Sequence, residues 1–224
     1  MEDTIGTTSG AFLPARGGRH GGNLLEYAVH YVRDRHWEVL PGAWIEREGR
    51  AASCSCRAWE CGAPGAHPVR RDWEAHATGS VTVARRMWSE RPRASILLPT
   101  GRTFDVIEVP EAAGCLALAR MERLGVALGP VAGTPYGRMQ FYVLPGGAAK
   151  VAGLVRRLGW SPAALDLTAR GEGDIVAAPP TSLGPRGRVL WVRAAGAGNG
   201  PLPGVEDVLP SLAYACGQEG GPLA

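Results

Sequence analysis

Three of the five cysteines in this 224-residue chain fall within eight positions, and a histidine follows shortly after. Cys54, Cys56, Cys61 and His67 read C-x-C-x4-C-x5-H, with Gly62, Pro64 and Gly65 supplying turns between them. Three thiolates and one imidazole complete a tetrahedral zinc shell, and short turn-rich loops can wrap them around one ion. Four unrelated side chains, or disulfides, are the competing readings. Disulfides require an oxidising compartment. A four-ligand zinc site is closed and organises a loop without doing chemistry. Residues 50–70 are therefore expected as a metal-stapled loop.

Composition bounds the rest. Apolar residues make up 45% and charged residues 20%, which excludes wholesale disorder. No run of apolar residues is long enough to span a bilayer, so no membrane association is expected. The N-terminal stretch lacks the apolar centre of a signal peptide, which points to the cytoplasm. A net charge of +3 is too small to imply nucleic acid binding by itself.

Hydrophobic spacing then places the elements. Residues 1–22 read as a flexible arm, 23–195 as the main domain, and 196–224 as a tail with room for a short helix. Asn23 is an N-cap for a helix of about three turns carrying Leu24, Leu25, Ala28, Val29 and Val32. A second helix covers roughly 80–90 and ends before Pro92. Ser95–Leu98 and Phe104–Val109 read as neighbouring strands. Ala112 to Leu124 has the spacing of a helix packed through Leu116, Leu118, Met121 and Leu124. Cys115 and Cys216 are expected as buried packing residues, and Trp88 and Trp160 as core plugs. The irregular alternation of helices and strands predicts an α+β fold.

From Leu24 to Val192 an ordered series of motifs carries a resemblance. Tyr27-Ala28 and Trp37-Glu38-Val39-Leu40-Pro41 open it. Cys54-Ser55-Cys56 to Pro64-Gly65-Ala66-His67-Pro68 follows, then Trp73 with Ala77-Thr78, then Trp88 and Pro92. Ser95-Ile96-Leu97-Leu98 and Thr100-Gly101 precede Val106-Ile107-Glu108-Val109. Thr134-Pro135, Gly137-Arg138, Phe141-Tyr142, Leu165-Asp166, Arg170, Gly171, Gly173 and Ala178-Pro179-Pro180 complete the order. In this order the chain resembles the bifunctional DNA primase/polymerase domain of the archaeo-eukaryotic primase superfamily.

The resemblance implies a two-module fold with an RNA-recognition-like catalytic module and a small zinc-binding loop. It also implies a cleft for two divalent ions and a nucleotide, and two-metal phosphoryl transfer. The family supplies two acids at i and i+2 on one strand, a third acid on a later strand, and a histidine in a hairpin. Here the paired positions fall at Glu108 and Pro110, and the histidine position falls at Met139, or at Gln140 if shifted by one. Proline has no side-chain ligand atom. Asp105 lies an odd number of residues from Glu108, and Glu111 would need a bulge after Pro110. Glu108 and Asp166 are thus remnants of a catalytic set, with Arg138 and Arg170 as nucleotide- or phosphate-binding candidates. Structural alternatives accompany these roles: an edge carboxylate for Glu108, and salt bridges of Asp166 to Arg138 or Arg170.

The expected function is a catalytically impaired module that binds DNA, nucleotide or a protein partner in a DNA-related or regulatory process. Its expected cofactor is structural Zn²⁺. The alternative is an active nucleotidyltransferase that uses Mg²⁺ or Mn²⁺. Any DNA contact is expected from a local patch of Arg85, Arg86, Arg91 and Arg93, extended by Arg70 and Arg71.

Overall fold

Asn23 caps the first helix as the sequence predicts. Its side-chain oxygen accepts from the Leu25 N–H at 3.1 Å, and α1 runs Leu24–Arg35. The computed structural model describes residues 23–49, 51–194 and 201–219. The arm expected over 1–22 lies outside the described residues. His36 ends α1 in the left-handed region, at φ 55°, and turns the chain so that Trp37 enters the core.

A short strand β1 (Leu40–Gly42) and a hairpin of β2 (Ile45–Glu48) and β3 (Ala51–Cys54) lead into the cysteine loop. The loop exits through a 3-10 turn at Trp73–His76 into α2 (Val81–Glu90), which Ser80 caps, and then β4 (Ser95–Pro99). Next come β5 (Asp105–Pro110), α3 (Glu111–Arg123), β6 (Val131–Thr134), β7 (Arg138–Val143), α4 (Gly147–Arg157) and β8 (Thr168–Arg170). The chain continues through β9 (Ile175–Ala177), β10 (Ser182–Leu183), β11 (Gly187–Arg188), β12 (Leu190–Arg193) and α5 (Val205–Glu219).

Two sheets organise these elements. A three-stranded sheet runs β1-β4-β9, and a five-stranded antiparallel sheet runs β12-β6-β7-β5-β8. The mixture of helices and antiparallel sheets is α+β, as expected. The expectation that the two apolar runs around Thr100-Gly101 are neighbouring strands is corrected: β4 and β5 belong to different sheets. Gly101, at φ 95°, donates its N–H to the Phe104 carbonyl and carries the chain across. A Cβ there would run into the Glu172 backbone. Both runs are almost fully buried, so apolarity alone does not say which sheet each joins.

The period-2 pattern of β5 sorts its side chains. Ile107 and Val109 join a core with α3, α4 and α5, whereas Val106 joins Trp37, Phe104 and Tyr142 on the opposite face. Trp37 stacks between Tyr31 and Tyr142, at centroid distances of 6.0 and 5.2 Å and within 8° of parallel. Asp105 faces away from Glu108: its carboxylate accepts from the Ala148 N–H at the start of α4 at 2.8 Å. The β5–β7 register runs unbroken to Pro110 opposite Arg138, and Glu111 opens α3 instead of following a bulge.

Four packing expectations are decided by neighbours. Trp88 is fully buried and donates its indole N–H to the Ala94 carbonyl at 3.0 Å. The buried stripe of α3 is Ala113, Gly114, Ala117 and Met121, while Leu116 and Leu124 are exposed. Small residues at this seam let α5 approach α3. Cys115 lies off that stripe and is exposed, a correction to its expected burial, although its Sγ reaches Met139 Sδ at 3.7 Å. Cys216 is buried as expected, on α5. The segment expected as a tail with a short helix carries a 15-residue helix whose Val208, Leu209, Leu212 and Cys216 complete the second core.

Candidate functional site

Strand pairing places Glu108 on β5 opposite Gln140 on β7 and Thr168 on β8. These side chains lie on the sheet face away from α3, α4 and α5. Gln140 donates its amide to Glu108 Oε2 at 3.1 Å. Arg138 enters from two positions along β7. Its Nε lies 3.5 Å from Glu108 Oε1, its Nη1 donates to Asp166 Oδ2 at 2.7 Å, and its Nη2 to the Glu108 carbonyl at 3.4 Å. One guanidinium therefore holds both carboxylates that the sequence singled out. The Glu108 and Arg138 side chains are mostly buried, at 16% and 21% exposed, while Asp166 is 68% exposed at the rim.

Beside Glu108 and Arg138 lies a cleft of about 440 Å³. Thr134, Gln140 and Arg170 line it from the large sheet, and Gly62 to Pro64 and Ala66 of the cysteine loop line it from the other side. The nearest acid to Arg170 is Asp174, 4.0 Å away. Tyr136, in the β6–β7 turn, carries Arg186 over its ring at 5.2 Å. Among the described residues Gln140 Oε1 and Thr134 Oγ1 are buried without a hydrogen-bond partner. An orphaned buried acceptor of this kind calls for a donor or a cation.

Sequence reasoning missed Gln140 as the favoured cleft residue, named Thr134 only as part of a motif, and missed Tyr136 and Arg186 altogether. Met139, the favoured match to the family's histidine, is buried on the opposite face against α3. The parity of the strand held the missing signal. Arg138 and Gln140 share a face, and Met139 cannot share it.

The cysteine loop is built by local anchors. The Ser55 N–H donates to the Trp44 carbonyl, and Ser55 Oγ accepts from the Trp44 N–H at 3.0 Å. The Ala43 N–H binds the His67 carbonyl and fastens the far end. One ligand atom from each of Cys54, Cys56, Cys61 and His67 lies within 4.8 Å of the others. Ligands about 2.3 Å from a tetrahedral centre stand about 3.8 Å apart, so a small inward closure completes a shell. His67 Nδ1 donates to the Pro68 carbonyl at 2.8 Å, which leaves Nε2, 3.4 Å from Cys54 Sγ, as the free ligand nitrogen. The Ala58 N–H draws the Cys56 thiol down to about 7, whereas burial pushes Cys61 up to about 11. These four groups fit a metal ion.

Residues 28–205 match the family model of the bifunctional DNA primase/polymerase N-terminal domain, Prim-Pol. The chain belongs to this family. No curated protein and no solved structure matched. The Prim-Pol match runs from within α1 to the first residue of α5, so it takes in the cysteine loop, both sheets and the whole cleft. Among the described residues of this Prim-Pol chain, no helix is long and apolar enough to cross a membrane.

Proposed function

We propose that this Prim-Pol domain binds nucleotide or nucleic acid phosphate in its cleft and does not carry out metal-dependent nucleotidyl transfer. The single observation behind this reading is Arg138 between Glu108 and Asp166. Two-metal transfer needs carboxylates free to fix both ions in line with the attacking and leaving oxygens. Here one guanidinium occupies the two acids, and Pro110 contributes no ligand atom. The remaining donors do not fit a two-ion site. Arg138 is thereby engaged, and the freer cation for a phosphate is Arg170, whose planar fork suits phosphate oxygens.

The connection order supports an RNA-recognition-like module. The elements β5-α3-β6-β7-α4-β8 follow the split β-α-β pattern, with the sheet ordered β8-β5-β7-β6. In the cysteine loop we assign structural Zn²⁺ to Cys54, Cys56, Cys61 and His67. The ion would hold the wall formed by residues 62–66 against the large sheet. Three thiolates on zinc suit a reducing compartment such as the cytoplasm. The process served is DNA-related or regulatory.

The test is primer extension and de novo priming with Mg²⁺ and with Mn²⁺, alongside calorimetric titration of a nucleoside triphosphate. The expected result is no incorporation, with triphosphate binding weakened by Arg170→Ala. Incorporation that vanishes in Asp166→Ala would overturn the reading in favour of an active nucleotidyltransferase.

A further inference from the structure

The arginine patch expected from sequence divides in three dimensions. Arg85 lies 3.9 Å from Glu26, Arg93 lies 3.3 Å from Glu46 and packs over Trp44, and Arg70 forks onto Asp72 at 2.7 and 2.9 Å. Arg86 and Arg91 have no acidic partner among the described residues. Both line a concave pocket of about 260 Å³ that shares no lining residue with the Glu108 cleft. Trp73, Met87, Pro41 and Pro68 supply its apolar surface, and Glu90 is the acid at its edge.

We infer that this pocket seats one unpaired base of a single-stranded nucleic acid, with Trp73 as the stacking surface and Arg86 and Arg91 on the flanking phosphates. Three observations converge on that occupant. The volume falls below the ~300 Å³ at which pockets for whole small molecules begin, so one unit of a polymer fits better than a free ligand. An aromatic and thioether surface accepts any base by its π-face, and unpaired arginines on the rim match a polyanion. The pocket also adjoins the cleft through the cysteine loop. Ala66 lines the cleft and Pro68 lines the pocket, and two residues span at most about 7.6 Å. A strand of a few nucleotides can reach both. The inference deepens the nucleic acid reading above and rests on it for the class of polymer.

The test is fluorescence anisotropy with a labelled oligothymidylate of about a dozen nucleotides, over a range of salt. Trp73→Ala should weaken binding about tenfold, and Trp73→Phe should retain most of it. Trp73 also touches the core, so Arg86→Ala and Arg91→Ala, both at exposed positions, provide the independent arm. Each should flatten the log–log salt slope by about 0.7, the single-strand increment per phosphate. Unchanged affinity and slope in the arginine variants would overturn the inference. So would an oligonucleotide that fails to bind at low salt, or an acidic peptide that alone responds to these variants. The triphosphate titration separates the two sites. If Arg170→Ala weakens triphosphate binding while the pocket variants do nothing, only the pocket falls. If the pocket variants weaken oligothymidylate while Arg170→Ala has no effect, the cleft reading falls and the pocket stands.

Discussion

Arg138 Nη1 lies 2.7 Å from Asp166 Oδ2, joining β7 to the residue two positions before β8 across the intervening strand β5. The same guanidinium reaches Glu108 on β5. The bridge links three strands and engages both acids on which metal chemistry would depend.

Removing that guanidinium should expose the acids. Arg138→Ala is expected to lower stability by about 1–3 kcal/mol, because it strips a partner from the largely buried Glu108 carboxylate. It should also create measurable Mn²⁺ binding where the unaltered protein has little. Thermal melting and the electron paramagnetic resonance signal of free Mn²⁺ check the two effects. An Arg138→Ala protein that neither loses stability nor gains Mn²⁺ would show that the bridge is not what occupies the acids.

Purified protein should carry about one equivalent of zinc, as a closed four-ligand site does. After chelation, hydrogen exchange should rise over residues 51–70 while the two cores stay protected, because neither core is built from the loop's cysteine ligands other than through neighbouring packing. Wherever the metal-free loop keeps its fold, the Ala58 N–H draws the Cys56 thiol down to about 7 and favours its thiolate. Burial there holds the Cys61 thiol above its ordinary value, so less of it is ionised than of Cys56. Alkylation followed by mass mapping should therefore label Cys56 first and Cys61 last, and zinc should slow both.

Alkali should unfold the chain through its buried phenols. Burial raises the pKa values of the Tyr31 and Tyr142 phenols above their ordinary value. A raised folded pKa contributes stability that is fully present below the unfolded value of about 10 and is lost as pH rises above it. Tyr142 OH has no partner among the described residues. Tyr142→Phe should therefore leave stability near neutral pH little changed and move the alkaline transition upward. Circular dichroism against pH measures both.

Gly114 sits where α3 crosses Met139. A Cβ there would stand 2.6 Å from Met139 Sδ and 2.8 Å from its Cβ. Gly114→Ala should cost up to about 2 kcal/mol, the overpacking of about 1–3 kcal/mol less the helix-propensity gain of about 1 kcal/mol. The double variant with Met139→Ala should be non-additive, with the alanine at 114 less harmful once the methionine is shortened. Denaturant titration of the four proteins decides it.

Much of the fold was legible in short windows. Asn23 and the Pro92 stop mark helix ends through groups only a few residues apart. The cysteine loop was legible because its ligands and turns lie within fourteen positions. The site was legible in part. Glu108, Asp166, Arg138 and Arg170 could be named from motif order, but Gln140 and Thr134 emerge only when β7 is aligned on β5 and β6. The helix after residue 204 was undervalued because its apolar residues matter only once α3 and α4 present a surface for them.

The sequence by itself determined the local chemistry: where helices start and stop, which loop gathers metal ligands, which strand alternates Ile107 and Val109 with Val106 and Glu108, and that position 110 has no ligand atom. Tertiary structure alone decided that β4 and β5 part company, that Met139 turns inward while Gln140 faces the cleft, and that Arg138 satisfies two acids at once. The physical reason is range. Caps, turns and strand parity are governed by neighbours along the chain, whereas the Arg138–Asp166 bridge spans 28 residues and exists only after β5 has been laid between them.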